Sequence, residues 1–162
     1  MAKKRKNTKF IQLMPVIAIV LGIISIIMMF LPAVGIKGTE MTYTGWQTAF
    51  GYTKEGIFEE AIIFNFSLIL FIGFVLMISA VVLAVFQAIT PRSNFFALLA
   101  VLCFVLAMLC WFLQIQFLSV GDGFSVGGLL QDNMQLGIGA VLGGITSACG
   151  AVACALPIFM KK

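Results

Sequence analysis

The stretch "GIGAVLGGITSACGAVACA", residues 137–155, decides how this chain folds, because it is mainly apolar, lacks charge and is rich in small residues. Gly139, Gly143 and Ser147 recur at intervals of four, and Gly144 lies on the adjacent ridge. In lipid, small residues at such spacing let helix backbones approach closely and gain van der Waals contact. The pattern predicts a membrane helix that packs through these four residues, either inside one helical bundle or at an oligomer interface.

The whole chain is far more apolar than a soluble domain. Of its 162 residues, 62% are hydrophobic and 10% are charged, and the mean hydropathy is +1.14. Four runs reach the length of about 20 residues that crosses a bilayer core: approximately residues 10–34, 61–89, 95–119 and 136–160. We therefore expect an all-α membrane protein, an antiparallel four-transmembrane-helix bundle with a small extracytoplasmic cap.

The distribution of charge predicts how the bundle is oriented. Eight of the ten basic residues fall in the tail 1–9, the short connection 90–94 and the C-terminal end, whereas all six acidic residues fall in the outer loops 35–60 and 120–135. Basic residues collect on the cytoplasmic side of a membrane protein. The pattern predicts a protein of the cell (cytoplasmic) membrane with both termini in the cytoplasm. The basic tail would attract anionic lipid headgroups, and the charge gives no reason to expect nucleic acid.

Residues that carry chemistry are scarce. The chain has no histidine, and its only adjacent carboxylates, Glu59 and Glu60, would not face each other on a helix. The cysteines lie inside the third and fourth runs, where they are read as packing residues: Cys103, Cys110, Cys149 and Cys154. We expect no catalytic residue, metal site or cofactor, and hence no enzyme. Because the apolar runs contain no ionisable group in their central parts, coupled transport is also disfavoured.

Two amides within the apolar runs are candidates for an intramembrane polar site. Asn65 lies near the start of the second run, and Gln114 lies near the outer end of the third. Such side chains bond across helices in membranes. They are interpreted either as structural contacts between helices or as contacts to a ligand or ion.

The first outer loop contains the segment "TYTGWQTAFGYT", residues 42–53, with both tyrosines and one of the two tryptophans. Thr44 and Gln47 have the spacing of a capping box, and Gly51 can end a helix in a left-handed conformation. The pattern predicts a short helix at the membrane interface. Upstream, "IKGTEMTYT" (residues 36–44) is a candidate strand that would pair with "GFSV" (residues 123–126) of the second outer loop.

The aromatic residues of this loop are the candidate interaction residues: Tyr43, Trp46, Phe50 and Tyr52. On the predicted helix, Trp46, Ala49 and Phe50 would share one face, with Gln47 and Thr48 on the other. The aromatic face would pack onto the outer end of the bundle or the lipid headgroup zone, as aromatic belts do. The alternative is a surface that binds a partner.

The layout resembles that of the claudin-like tetraspan proteins, with four spans, a long first outer loop and a tiny inner loop. Residues 44–46, "TGW", are similar to the Gly-Leu-Trp of the claudin first loop, although the loop cysteine pair is absent. The chain also resembles small four-helix membrane proteins of Gram-positive bacteria, which have a Lys-rich start and a loop motif matched by Gly45, Trp46, Phe50 and Gly51. This resemblance implies a four-helix fold and no particular activity.

The functional expectation is a non-enzymatic integral membrane protein. It would act as an accessory, scaffold or interaction subunit through its outer loops and helix packing, with a protein partner or a second copy of itself. The alternative is a small pore or a carrier of lipids or other hydrophobic ligands.

Overall fold

The computed structural model describes residues 2–55, 60–90, 94–121 and 133–160, and within them the chain is mainly helical. The long helices are α1 (Ala2–Met28), α3 (Leu68–Ile89), α4 (Asn94–Phe112) and α5 (Ile138–Met160), and α2 (Gly45–Phe50) is short. Helices α3, α4 and α5 are long and apolar enough to cross a membrane. In α1, the apolar part within the described residues is shorter, Gln12–Met28. By length and composition, the three spanning-length helices fit a membrane protein.

The four long helices pack around one another in the order α1, α3, α4, α5, and each runs antiparallel to its two neighbours. The direction follows from pairs of contacts along each interface. For α4 and α5, Trp111 lies against Gly143, whereas Phe104 lies against Gly150. Residue numbers therefore increase along α4 in the direction in which they decrease along α5. We refer to this group of four helices as the helical body.

The small residues of α5 are buried within the helical body. Ser147 lies 2.8 Å from Ser25 of α1, hydroxyl oxygen to hydroxyl oxygen, and Ser25 also donates to the Gly143 carbonyl at 3.0 Å. Gly139 sits beside the backbone carbonyls at the end of α1, and Gly144 faces the Phe112 ring. The ridge Gly139, Gly143 and Ser147 therefore packs against neighbours within the same chain.

Aromatic side chains of α4 fill the space that glycines leave open. Phe104 is fully buried, and a Cβ atom on Gly150 would lie 2.8 Å from its ring. A Cβ atom on Gly143 would lie 2.5 Å from the indole of Trp111. Because ring and backbone are already in contact, neither glycine position can accept a side chain without movement.

The helices end before the apolar runs do, always at the end that carries α2. The first run, 10–34, is helical only to Met28, because Pro32 lacks a backbone N–H and restricts the residue before it. In the second run, 61–89, α3 starts only at Leu68, capped by Ser67. The third, 95–119, turns after Phe112, and the fourth, 136–160, begins in a strand. At the other end, α1 begins at Ala2, so the predicted tail 1–9 is helical from Ala2 onward.

The residues left over form strands that cover this end of the helical body. Strand β1 (Pro32–Ile36) lies between β2 (Thr42–Thr44) and β5 (Met134–Leu136), all antiparallel. Strands β3 (Tyr52–Glu55) and β4 (Glu60–Phe64) form a separate hairpin. We call these strands together with α2 the cap. The predicted strand 36–44 is reduced to β2 and pairs with β1, because Gly38 and its neighbours turn the chain back; its predicted partner, residues 123–126, lies outside the described residues.

Replacing Gly143 with Ala should destabilise the protein more than replacing Gly144 with Ala. At Gly143 the added methyl group meets the body of the buried Trp111 indole, whereas at Gly144 it meets the far edge of the half-exposed Phe112 ring, which can move aside. Overpacking of this kind costs about 1–3 kcal/mol. Thermal unfolding of the two purified variants in detergent measures the difference; equal melting temperatures would show that Trp111 does not fix this interface.

Candidate functional site

The short helix α2 is the best-defined element of the cap. Both bonds of the predicted capping box are present: Gln47 N donates to Thr44 Oγ1 at 3.3 Å, and Thr44 N donates to Gln47 Oε1 at 2.9 Å. Gly51 follows the helix with a positive φ of 91°. The predicted short helix is therefore confirmed.

Helix α2 is tied by its backbone to the ends of two long helices. The Trp46 amide donates to the Met29 carbonyl at 3.0 Å, and the Ser67 amide donates to the Ala49 carbonyl at 3.0 Å. Ser67 is also the N-cap of α3. A shift of α2 would break bonds to the end of α1 and the start of α3, so its position is fixed relative to the helical body.

One predicted feature of α2 is wrong. Thr48, expected on the polar face, is fully buried. Its hydroxyl donates to the Gly45 carbonyl at 2.9 Å and accepts a hydrogen bond of 2.6 Å from Gln114 Nε2. Thr48 and Ala49 thus lie on the buried side of α2. Thr48 can be buried there because Gln114, which follows α4, supplies a polar partner. Trp46 remains 41% exposed.

An aromatic cluster runs from α2 along the outside of α1 and α3. Trp46 stacks on Phe50 with ring centroids 3.9 Å apart and on Phe30 at 5.8 Å. Edge-to-face contacts then connect Phe50 to rings near the start of α3. The members of the aromatic cluster are Phe30, Trp46, Phe50, Phe66, Phe71 and Phe74. Such pairs stabilise by about 0.5–1.5 kcal/mol beyond burial, so the cluster presents a preformed surface.

The two tyrosines do not belong to this cluster. Tyr43 of β2 is buried, and its ring meets Phe64 edge-on with centroids 4.8 Å apart and Tyr52 at 6.0 Å. Burial raises the pKa of Tyr43 above its ordinary value, and the neighbouring Tyr52 raises it further. The four predicted interaction residues therefore divide between the aromatic cluster, with Trp46 and Phe50, and a second group of rings that contains the buried Tyr43 and the half-buried Tyr52.

A cavity lies directly beneath α2. Its volume is about 30 Å³, enough for about two water molecules. The wall is almost entirely apolar and comes from the end of α1, from α2, α3 and α4, and from the turn after α4: Met29, Gly45, Ala49, Leu70, Gly73, Phe74, Met77, Ala107, Cys110, Trp111 and Gln114.

Two polar atoms in this wall have no hydrogen-bond partner among the described residues: Trp111 Nε1 and Gln114 Oε1. Both side chains are deeply buried, with 6% and 3% of their surface exposed. A buried polar group left unpaired costs about 1–3 kcal/mol. Trp111 was not identified from the sequence, where an aromatic residue in an apolar helix looks like any other core residue.

The predicted polar pair Asn65 and Gln114 does not form one site. Asn65 lies before α3, between the cap strands and the helix, where its amide N–H donates to the Ser119 carbonyl at 2.9 Å. Its side chain is exposed and donates to Val120 O at 3.4 Å. It was expected within the second span, but the chain becomes helical only at Leu68. Gln114 alone occupies the buried position under α2.

The described part of the chain contains no group of three or more Cys, His, Asp or Glu side chains able to hold a metal ion. The cysteines are all free thiols. Glu59, one of the adjacent carboxylates, lies outside the described residues.

Replacing Thr44 with Ala should loosen α2, whereas replacing it with Ser should not. Alanine removes the N-cap acceptor, and the loss of such a cap costs about 1 kcal/mol; serine keeps the hydroxyl. Hydrogen exchange of the amides at residues 46–48, together with the melting temperature, measures the effect. Unchanged exchange in the alanine variant would mean that the backbone bonds to Met29 and Ser67 hold α2 without the cap.

Comparison with known proteins adds no relative to this description. No family model matches the chain, and neither the curated proteins nor the solved structures contain a match. The comparisons thus support neither a claudin nor a tetraspan identity, and the site rests on its own geometry.

Proposed function

We propose that this protein is a non-enzymatic interaction subunit of the cell membrane, which binds a membrane partner through the aromatic cluster beside its cap. The observation that carries the proposal is the partly exposed stack of Phe30, Trp46 and Phe50, because Trp46 and Phe50 belong to a helix that two backbone bonds hold in place. Aromatic residues dominate the energy of protein interfaces when they are held rigidly.

The proposal includes a fourth membrane span, α1. Its side chains Leu13, Val20 and Ile27 are about half exposed, as expected for a helix surface that faces lipid. Helix α1 also packs along its length between α3 and α5, which are themselves long enough to span. A four-span antiparallel bundle then puts the cap on one side of the membrane and both chain ends on the other.

The charge distribution supports an extracytoplasmic cap. In the sequence, eight of the ten basic residues fall at the chain ends and in the 90–94 connection, next to the helix ends that are remote from the cap. In this orientation the basic N-terminal end of α1 meets the anionic headgroups of the cytoplasmic leaflet, which attract nearby cations by about 1 kcal/mol each.

Fusions of alkaline phosphatase should report this topology when the protein is expressed in a bacterium. The phosphatase folds only outside the cytoplasm, so a fusion after residue 133 should be active and a fusion after residue 162 inactive. Changing the basic residues among positions 3–6 to glutamine provides the control, because it should weaken the preference of the N-terminal end for the cytoplasmic side. Activity after residue 162 would contradict an even number of spans with a cytoplasmic start.

The exposed rims of the cluster indicate how a partner would be bound. Phe30 and Phe66 are 60% and 51% exposed; Phe30 stacks on Trp46, and Phe66 contacts Phe50. The cluster lies where α1 ends and α3 begins, so its partner would contact it at headgroup depth. An apolar or aromatic helix end of another membrane protein has the matching chemistry.

A homo-oligomer through the small residues of α5 has less support. Gly139, Gly143 and Ser147 are buried by α1 and α4, and the outward residues of α5 are large and apolar, among them Ile138, Ile145 and Val152. The partner that binds the aromatic cluster could also be a second copy of this protein.

The alternative function, a pore or hydrophobic-ligand carrier, has mixed support. Phe104 fills the helical body between Gly22 and Gly150, which disfavours a continuous pore. The cavity under α2 is the one observation that favours ligand binding. Flux through liposomes that contain the purified protein would separate a pore from the interaction subunit.

Alanine at Trp46 and Phe66 should abolish partner binding while the helical body stays folded. The full-length tagged protein is purified from native membranes in mild detergent, and co-purifying proteins are quantified. Loss of two anchoring rings should weaken binding more than about tenfold. Phe95→Ala is the control, since that ring is 64% exposed and lies at the start of α4, remote from the cap.

The outcomes separate the possible roles of α2. Loss of the partner with an unchanged melting temperature supports recognition. A fall in melting temperature with the partner retained would show that the cluster only secures the cap, and a strictly monomeric wild-type protein with no partner would overturn the proposal.

A further inference from the structure

Two residues that line the cavity beneath α2 are deeply buried, and each has one polar atom without a partner among the described residues, a donor in one and an acceptor in the other. The donor is Trp111 Nε1 and the acceptor is Gln114 Oε1, and both side chains line the cavity. Residues three apart at a helix end lie on the same side of the chain. The two residues thus belong to one segment and line one cavity.

The orientation of the Gln114 amide follows from its neighbour. The Thr48 hydroxyl hydrogen is directed to the Gly45 carbonyl at 2.9 Å, so the Thr48 oxygen can only accept from Gln114. Nε2 of Gln114 fills that role at 2.6 Å. Its Oε1 is therefore left as an acceptor without a partner among the described residues.

From this arrangement we infer that the cavity binds the hydroxyl group of a neutral amphiphile. A hydroxyl donates one hydrogen bond and accepts others, so it can satisfy Gln114 Oε1 and Trp111 Nε1–H together. A carboxylate would oppose the Gln114 oxygen, and an ammonium group would leave the indole N–H unpaired. The wall contains no charged side chain to pair with an ion.

The remainder of the wall is apolar. Because the cavity has room for only about two water molecules, it would hold the hydroxyl end and the methylene groups next to it. Leu70, Gly73 and Met77 extend the wall along α3 from the polar pair toward the membrane interior, over about 10 Å of helix. Gln114 lies just beyond the end of α4, at the level of the cap. A hydroxyl at the cap and a chain along α3 is the orientation that an amphiphile already has in a bilayer.

Gly73 lets α3 approach α4 closely at the cavity wall. A Cβ atom there would lie 2.7 Å from Cys110 Cβ, so the two helices touch at this point and nothing larger than glycine fits. Phe74, the next residue, belongs both to the cavity wall and to the aromatic cluster. The ligand would enter between α1 and α3, beside that ring.

Tryptophan fluorescence tests the proposal directly. Trp46→Phe leaves Trp111 as the only tryptophan of the full-length protein. This variant is placed in lipid nanodiscs and titrated with 1-octanol, with dioctanoylglycerol, and with octane. Both hydroxyl compounds should shift the Trp111 emission in a saturable manner, and octane should not. The hydroxyl compound that saturates at the lower concentration distinguishes a free alcohol from a membrane lipid as the source.

A matched pair of glutamine variants tests the role of Gln114. In the Trp46→Phe background, Gln114→Leu should weaken octanol binding about fivefold, the effect of one lost neutral hydrogen bond. Gln87→Leu should leave it unchanged. Gln87 is equally buried and also has an unpaired Oε1, but it lies near the opposite end of the helical body, where its Nε2 donates to Cys154 O at 3.2 Å.

A measurement on the unmodified chain covers the case in which Gln114→Leu does not fold. Octanol should raise the melting temperature more than octyl methyl ether, which accepts a hydrogen bond but cannot donate one to Gln114. Equal effects of octanol, the ether and octane, or no saturable change in emission, would show that water alone satisfies the two atoms and would overturn the proposal. Equal loss of binding in both glutamine variants would overturn the assignment to this cavity.

Discussion

The contact between α5 and the aromatic residues of α4 is the interaction on which the rest of the structure depends. Lipid tails are as apolar as the helices, so burial from lipid contributes little and close packing must hold the helices together. Gly143 and Gly150 allow Trp111 and Phe104 to lie directly on the α5 backbone. The hydroxyl contact between Ser25 and Ser147 then brings α1 to the other side of α5.

The position of the cap follows from this packing. Trp111 lies one turn before Gln114, and Gln114 bonds to Thr48 on the buried side of α2. Helix α2 in turn accepts and donates backbone bonds at the ends of α1 and α3. The cap is thus connected to the helical body by polar contacts at three places, which explains why a six-residue helix, too short to be stable alone, has a defined position.

Local signals in the sequence predicted which helices form better than they predicted the residues at which the helices begin and end. The capping box of Thr44 and Gln47 was predicted because it depends on residues three apart. The helix ends were not, because Ala33 and Val34 in the cap are as apolar as residues that face lipid, and composition cannot tell the two environments apart. The pairing of β1 with β5 joins residues about a hundred positions apart, and such register leaves no local trace.

In the candidate site, too, local features were predicted and features that depend on distant residues were not. Trp46 and Phe50 were predicted correctly to share a helix face, whereas the burial of Thr48 depends on Gln114, 66 residues further along the chain. The unpaired indole of Trp111 could not be predicted either, because only the packed structure shows that no described acceptor reaches it.

The aromatic cluster and the cavity lie on opposite sides of α2 and share Phe74. Phe74 belongs to both, and Gly45 and Ala49 of α2 line the cavity while Trp46 and Phe50 of the same helix form the cluster. A molecule in the cavity would contact the underside of the helix whose upper side presents the partner surface. If the amphiphile changes the stability of α2, it changes the affinity of the protein for its partner. By linkage, the partner then changes the affinity for the amphiphile by the same factor. The two proposals are therefore linked by α2: an amphiphile that rigidifies this helix would strengthen partner binding, and one that displaces it would weaken partner binding.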